Sequence, residues 1–109
     1  MNDTLLRIYV DEDDRADGKL AYEAVVEALR SAGFGGVTVL RGIEGFGSHR
    51  QVHSTRAFEF SGSSPVVVEA IDTQERVSNV LVWLREIVQE GLITLQPVRA
   101  IRIGEVTPS

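Results

Sequence analysis

The chain alternates between apolar runs of strand length and amphipathic runs of helix length, separated by glycine-rich or acidic breaks. Residues 4–10, Thr-Leu-Leu-Arg-Ile-Tyr-Val, are apolar and β-branched with little strict alternation, which predicts a central first strand. An acidic turn over 11–18 ends it. Asp17 is expected to cap a helix over 19–32, its carboxylate meeting the free N–H groups of the first turn. Tyr22, Val25, Val26 and Leu29 recur there at helical spacing, and Gly33, Gly35 and Gly36 end the helix. Residues 37–43 predict a second strand. Residues 57–60 read as a short strand or as part of a long loop, 61–65 as a turn, and 66–71 as the clearest strand in the chain. Asp72 with Glu75 gives a capping-box-like start to a second helix, striped by Val77, Val80, Leu81, Leu84, Ile87 and Val88 and closed by Gly91. Trp83 lies at the edge of that stripe and is a candidate subunit contact. A last strand is expected over 98–103, entered through Pro97, with a frayed tail at 104–109.

The resulting order, β-α-β-β-α-β, predicts a single α+β domain spanning 1–109 with the ferredoxin-like arrangement. Right-handed crossovers place both helices on one face of a four-stranded antiparallel sheet. Nothing in the chain covers the other face, although several strands are apolar on both sides. A homo-oligomer is therefore expected.

Composition narrows the chemistry more than the fold. With 43% apolar and 25% charged residues, the 109-residue chain has the balance of a globular domain able to bury its own core. It has no cysteine, which excludes disulfides, thiolate nucleophiles and cysteine-based metal sites. No apolar run approaches the ~18 residues a membrane span needs, and the N-terminus lacks a basic-then-apolar signal pattern. A cytoplasmic protein without direct membrane insertion is expected. The formal net charge of −5 argues against nucleic acid as a partner. Ten of the basic residues are arginine and one is Lys19. Arginine supplies a planar donor fork suited to carboxylate and phosphate, although a codon bias toward arginine would give the same count.

The second strand runs into Arg41-Gly42-Ile43-Glu44-Gly45-Phe46-Gly47 and then into a polar stretch carrying His49, Arg50, His53 and Arg56. The glycines at 42, 45 and 47 allow two readings. One is a twisted, bulged strand end that requires positive φ; the other is a nest of backbone N–H groups facing an anion. Arg41, Arg50, Arg56 and Arg102 are candidates to converge on a phosphate or carboxylate, with surface pairing to the 16 acidic residues as the alternative. His49 and His53 are four apart, but their glycine-rich context indicates a loop rather than the helix on which that spacing would face a metal. His53 reads instead as a hydrogen-bonding or ligand-contacting residue. The acidic run 11–14 lacks the glycine and terminal glutamate of a calcium loop. No nucleophile-and-base motif is present, so no enzyme is expected and no catalytic residue is assigned.

The segments LRIYV, YEAVVEALRSAG, VTVLRGIEGFGSHRQVHSTR, PVVVEAID and EGLITLQPVRAI together resemble the PII-like group called domain of unknown function 190, over about residues 4–103. The resemblance implies a compact homotrimer that binds a small anionic effector, an adenine nucleotide being the candidate, in clefts between subunits. It implies that 48–64 is a mobile effector-type loop acting on a transporter, channel or enzyme partner. Gly45-Phe46-Gly47 would then line the nucleotide site, and Arg102, within Ile101-Arg102-Ile103, matches a phosphate-contacting arginine. The ligand contacts so implied are Arg41, Gly42, Gly45, Phe46, Gly47, Arg50, His53, Arg56 and Arg102. Leu92 to Gln96 stand where PII proteins carry a glycine pair and a lysine after the second helix, and Gly104 replaces a second arginine. Two other readings use the same fold: a trimeric metal- or ion-tolerance protein relying on His49, His53 or the acidic turn, and an adaptor without ligand.

Overall fold

The computed structural model describes residues 3–45, 53–54 and 64–104. Four strands form the main sheet: β1 (Asp3–Asp11), β4 (Thr38–Arg41), β7 (Pro65–Thr73) and β8 (Leu92–Val98), in the order β4-β7-β1-β8. All neighbours are antiparallel. Two short ladders pair β2 (Arg15–Ala16) with β3 (Lys19–Leu20) and β5 (Glu44–Gly45) with β6 (His53–Ser54). Among the described residues the helices are α1 (Ala21–Ser31), linking β3 to β4, and α2 (Gln74–Ile87), linking β7 to β8. This is the ferredoxin-like arrangement expected from the element order.

Register explains which residues are buried. Leu6 opposes Ala70 and Ile8 opposes Val68 across β1 and β7, so these even-numbered positions share one face. They pack beneath Val25 and Leu29 of α1 and Val77, Val80 and Leu84 of α2 in a single core cluster. Each fully buried aliphatic side chain of this kind contributes roughly 1.5–3 kcal/mol over its exposed state. The odd-numbered positions face away from the helices. There Leu5 opposes Ile71, Arg7 opposes Glu69 and Tyr9 opposes Val67, with Leu40 and Leu92 alongside in the flanking strands.

Local chemistry departs from expectation at several boundaries. The acidic turn is a hairpin: Asp17 and Gly18 both have positive φ, 51° and 81°, as a two-residue type I′ turn requires. Asp17 therefore does not cap α1, which begins two residues later than expected. Leu20 is the N-cap without a side-chain hydrogen bond, and the Ala21 N–H donates instead to the Asp14 carbonyl at 2.7 Å. The end of α1 agrees with the glycine signal. Gly33 N–H donates to Arg30 O and Phe34 N–H to Leu29 O around a φ of +86°, the paired bonds of a Schellman motif.

At the second helix Thr73, not Asp72, is the N-cap, its hydroxyl accepting from the Arg76 N–H at 3.2 Å. The Asp72–Glu75 box is thus displaced by a Thr73–Arg76 bond. The C-cap is Val88, so Gly91 does not close α2; it lies where a Cβ would meet the Tyr9 carbonyl at 2.3 Å. The last strand lies earlier in the chain than its expected span of 98–103. Leu92–Val98 is β8 itself, and residues 99–104 lie beyond the sheet. The Pro97 that looked like a strand entrance sits within an edge strand, a position proline tolerates because that edge needs no partner N–H.

Candidate functional site

Antiparallel pairing brings three strand ends together at one end of the sheet. Asp11, the last residue of β1, pairs with Pro65, the first of β7, and Arg41, the last of β4, pairs with Val66. The second-strand expectation is realised here, over 38–41 rather than 37–43. Just past the sheet the Glu12 N–H donates to the Ser64 carbonyl at 2.7 Å, and the Gly42 N–H donates to the Pro65 carbonyl at 2.7 Å. The Arg41 guanidinium, 63% exposed, forms an ion pair with the Glu12 carboxylate, 21% exposed. One charged pair and two backbone bonds thus join the segments from which the central polar stretch leaves and returns.

The sequence-expected ligand residues distribute unevenly over this frame. Arg41 and Gly42 stand at the mouth just described. Gly42 has no positive φ; a Cβ there would lie 2.8 Å from the Pro65 ring, so close packing on Pro65 is sufficient reason for the glycine. Its N–H is committed to the Pro65 carbonyl. Gly45 and His53 are register partners in the β5–β6 ladder, which prolongs the chain beyond the main sheet. Phe46, Gly47, Arg50 and Arg56 lie outside the described residues, as do His49, the alternative strand at 57–60 and most of the 48–64 loop. Arg102 is exposed in the segment after β8. Within one chain β4 ends with Arg41 at one end of the sheet, and β8, four residues ahead of Arg102, leaves the sheet at the other end. β8 begins beside Tyr9, near the Arg41 end, and finishes with Val98 opposite Asp3.

Sequence reasoning missed Glu12. It belongs to the acidic run 11–14, which the sequence marks only as a turn, and only the strand order places that turn beside the end of β4. Sequence reasoning gave Asp72 a helix-capping role alone, whereas Asp72 is a buried carboxylate at the far end of the sheet. Its Oδ1 accepts from the Thr73 N–H at 2.8 Å and from the Arg76 guanidinium at 2.8 Å, and its Oδ2 from the Gly35 N–H at 3.2 Å. Burial works to raise the Asp72 pKa. The backbone N–H groups of Thr73 and Gly35, with Arg76, outweigh that effect and hold it below the usual carboxylate range.

Near Asp72 a shallow groove runs past Asp3, Ala32, Thr73, Arg76 and Asn79 to Trp83, which is 62% exposed. Among the described residues, none of the sequence-expected ligand residues lines it. Among the described residues no cluster of three or more histidine, cysteine or acidic side chains is arranged to hold a metal ion, and no helix is long and apolar enough to cross a membrane.

The fold is shared with solved PII-like proteins. CPII, a nitrogen regulatory PII-like protein from Thiomonas intermedia K12, superposes with a TM-score of 0.71 in its complex with ADP and bicarbonate, at 17% identity, covering 94% of this chain and 91% of that one. The same protein bound to ADP, AMP and bicarbonate gives 0.68, with 94% and 97% covered at 17% identity. The GlnK–ATP complex of B. subtilis gives 0.52, with 89% and 82% covered at 11% identity. By sequence, a UPF0166 protein of Aquifex aeolicus is 38% identical over 99 residues, covering 89% of this chain and 91% of the relative. UPF0166 protein MJ1524 of Methanocaldococcus jannaschii is 36% identical over 92 residues, covering 84% of each. The family model DUF190, Uncharacterized ACR, matches residues 3–100, and the chain belongs to that family, on the fold of PII-like proteins.

Proposed function

We propose that the protein is a PII-like regulator that self-associates, binds an adenine nucleotide in clefts between subunits and reports its occupancy to a partner protein through the 48–64 loop. The observation that carries this reading is the placement of Arg41 and Arg102. β4 ends with Arg41 at one end of the sheet and β8 leads toward Arg102 from the other, so a site that uses both arginines takes them most simply from neighbouring copies. The sheet face that no described helix covers supplies the reason to associate. Tyr9, Leu40, Ile71 and Leu92 are exposed on it around the Arg7–Glu69 pair, an apolar surface with its central charges already matched. That CPII, of the same fold, holds ADP and AMP makes the adenine nucleotides the first ligands to try.

In this reading the nucleotide binds two states of the loop with different affinity, and a transporter, channel or enzyme partner responds to the favoured state. No bond-making step is required of any residue. The test is calorimetric titration of the purified protein with ATP, ADP, AMP, cyclic mononucleotides and cyclic dinucleotides, with and without magnesium. Saturable binding near one ligand per chain is expected for at least one adenine nucleotide. A flat response across the panel would contradict the reading.

A further inference from the structure

The Glu12–Arg41 pair has a position that surface ion pairs ordinarily lack. Glu12 is the first residue past β1, and its backbone is fixed by the 2.7 Å bond from its N–H to the Ser64 carbonyl. Its side chain is mostly covered, whereas the Arg41 guanidinium it meets is largely exposed. The carboxylate is therefore held by the fold and does not need to be recruited from solvent. Asp11, Asp13 and Asp14 stand in the same turn, where the Asp14 carboxylate accepts from the Asp11 N–H at 3.0 Å. An anion arriving at Arg41 meets a guanidinium already partly neutralised, with a further negative field beside it.

We infer that Glu12 is a specificity-determining residue: its carboxylate competes for the Arg41 guanidinium and selects against ligands of high negative charge. The inference rests on the reading of Arg41 as part of an anion site. A guanidinium offers five N–H donors, and Glu12 engages it through one terminal nitrogen, so a ligand oxygen can still be bound. The opposing cost rises with each elementary charge on the ligand. A singly charged cyclic mononucleotide or a magnesium-complexed nucleotide is penalised least, and free ADP or ATP most.

The test compares free ADP and cyclic AMP by calorimetry, without magnesium, on the native protein and on Glu12→Gln. Glutamine keeps the shape and a hydrogen-bonding end but removes the charge. The expected result is that Glu12→Gln tightens ADP by about 5-fold and cyclic AMP by less than about 2-fold, because the repulsion scales with ligand charge. Glu12→Asp should restore the native ratio between the two ligands, which a role confined to packing or folding would not do. Equal changes for both ligands, or weaker ADP binding in Glu12→Gln, would overturn the inference and leave the nucleotide reading intact. Absence of binding of both ligands in all three proteins would overturn the inference; the nucleotide reading falls with it only if the full nucleotide panel, with and without magnesium, is also flat.

Discussion

The Asp72 carboxylate accepts from the N–H groups of Thr73 and Gly35 and pairs with Arg76, so one buried side chain fixes the start of α2 and the loop ahead of β4 together. These bonds favour the charged form, and the folded-state pKa lies below the unfolded value. Asp72 therefore contributes stability that is fully present above the unfolded carboxylate pKa of ~3.9 and is lost as pH falls through the lower folded value. Asp72→Asn removes the ion pair and leaves an amide that cannot satisfy three donors. The expected cost is about 1–3 kcal/mol at neutral pH. Chemical denaturation from pH 3 to 7 should also show a shallower loss of stability on the acid side for the variant. An unchanged acid slope would show that other carboxyl groups set it.

At the scale of elements, periodicity made the architecture legible and local bonding moved its boundaries. Both helices and the strands at 3–11 and 65–73 follow from apolar spacing, because burial against a common core imposes that spacing. The start of α1 was misplaced because Asp17-Gly18 looks like a cap followed by a helix, whereas two positive φ values close a hairpin first. The start of α2 shifted by one residue because a threonine and an aspartate in sequence can both cap, and tertiary contact with Gly35 draws Asp72 away. The last strand was misplaced because LITLQPV carries polar residues and a proline, which an edge strand tolerates and a central one does not. The site was only half legible. Arg41 could be named from its neighbourhood, but its partner Glu12 lies 29 positions away and is found only through the strand order.

For the whole molecule, the sheet has one face under α1 and α2 and one that no described helix covers. The exposed face carries Tyr9, Leu40, Ile71 and Leu92 around an Arg7–Glu69 bond of 2.8 Å. Covered by copies of itself, this face would bury apolar surface and keep its internally matched pair. Leu40→Glu adds an unmatched charge there without touching the helix-side core. Sedimentation of the native protein should give a mass near 36 kDa, three times the 12.0 kDa chain. Leu40→Glu should shift it toward the single chain with its circular dichroism retained. A native mass of one chain would remove the basis for sites between subunits.

The most direct check on the account is amide hydrogen exchange of the native protein, followed by mass spectrometry, with and without saturating ADP. Slower exchange is expected in peptides covering residues 38–45, where Arg41 and Gly42 leave the sheet, and in those covering 99–104, around Arg102. Unchanged exchange in both segments, or protection confined to the groove beside Trp83, would contradict it.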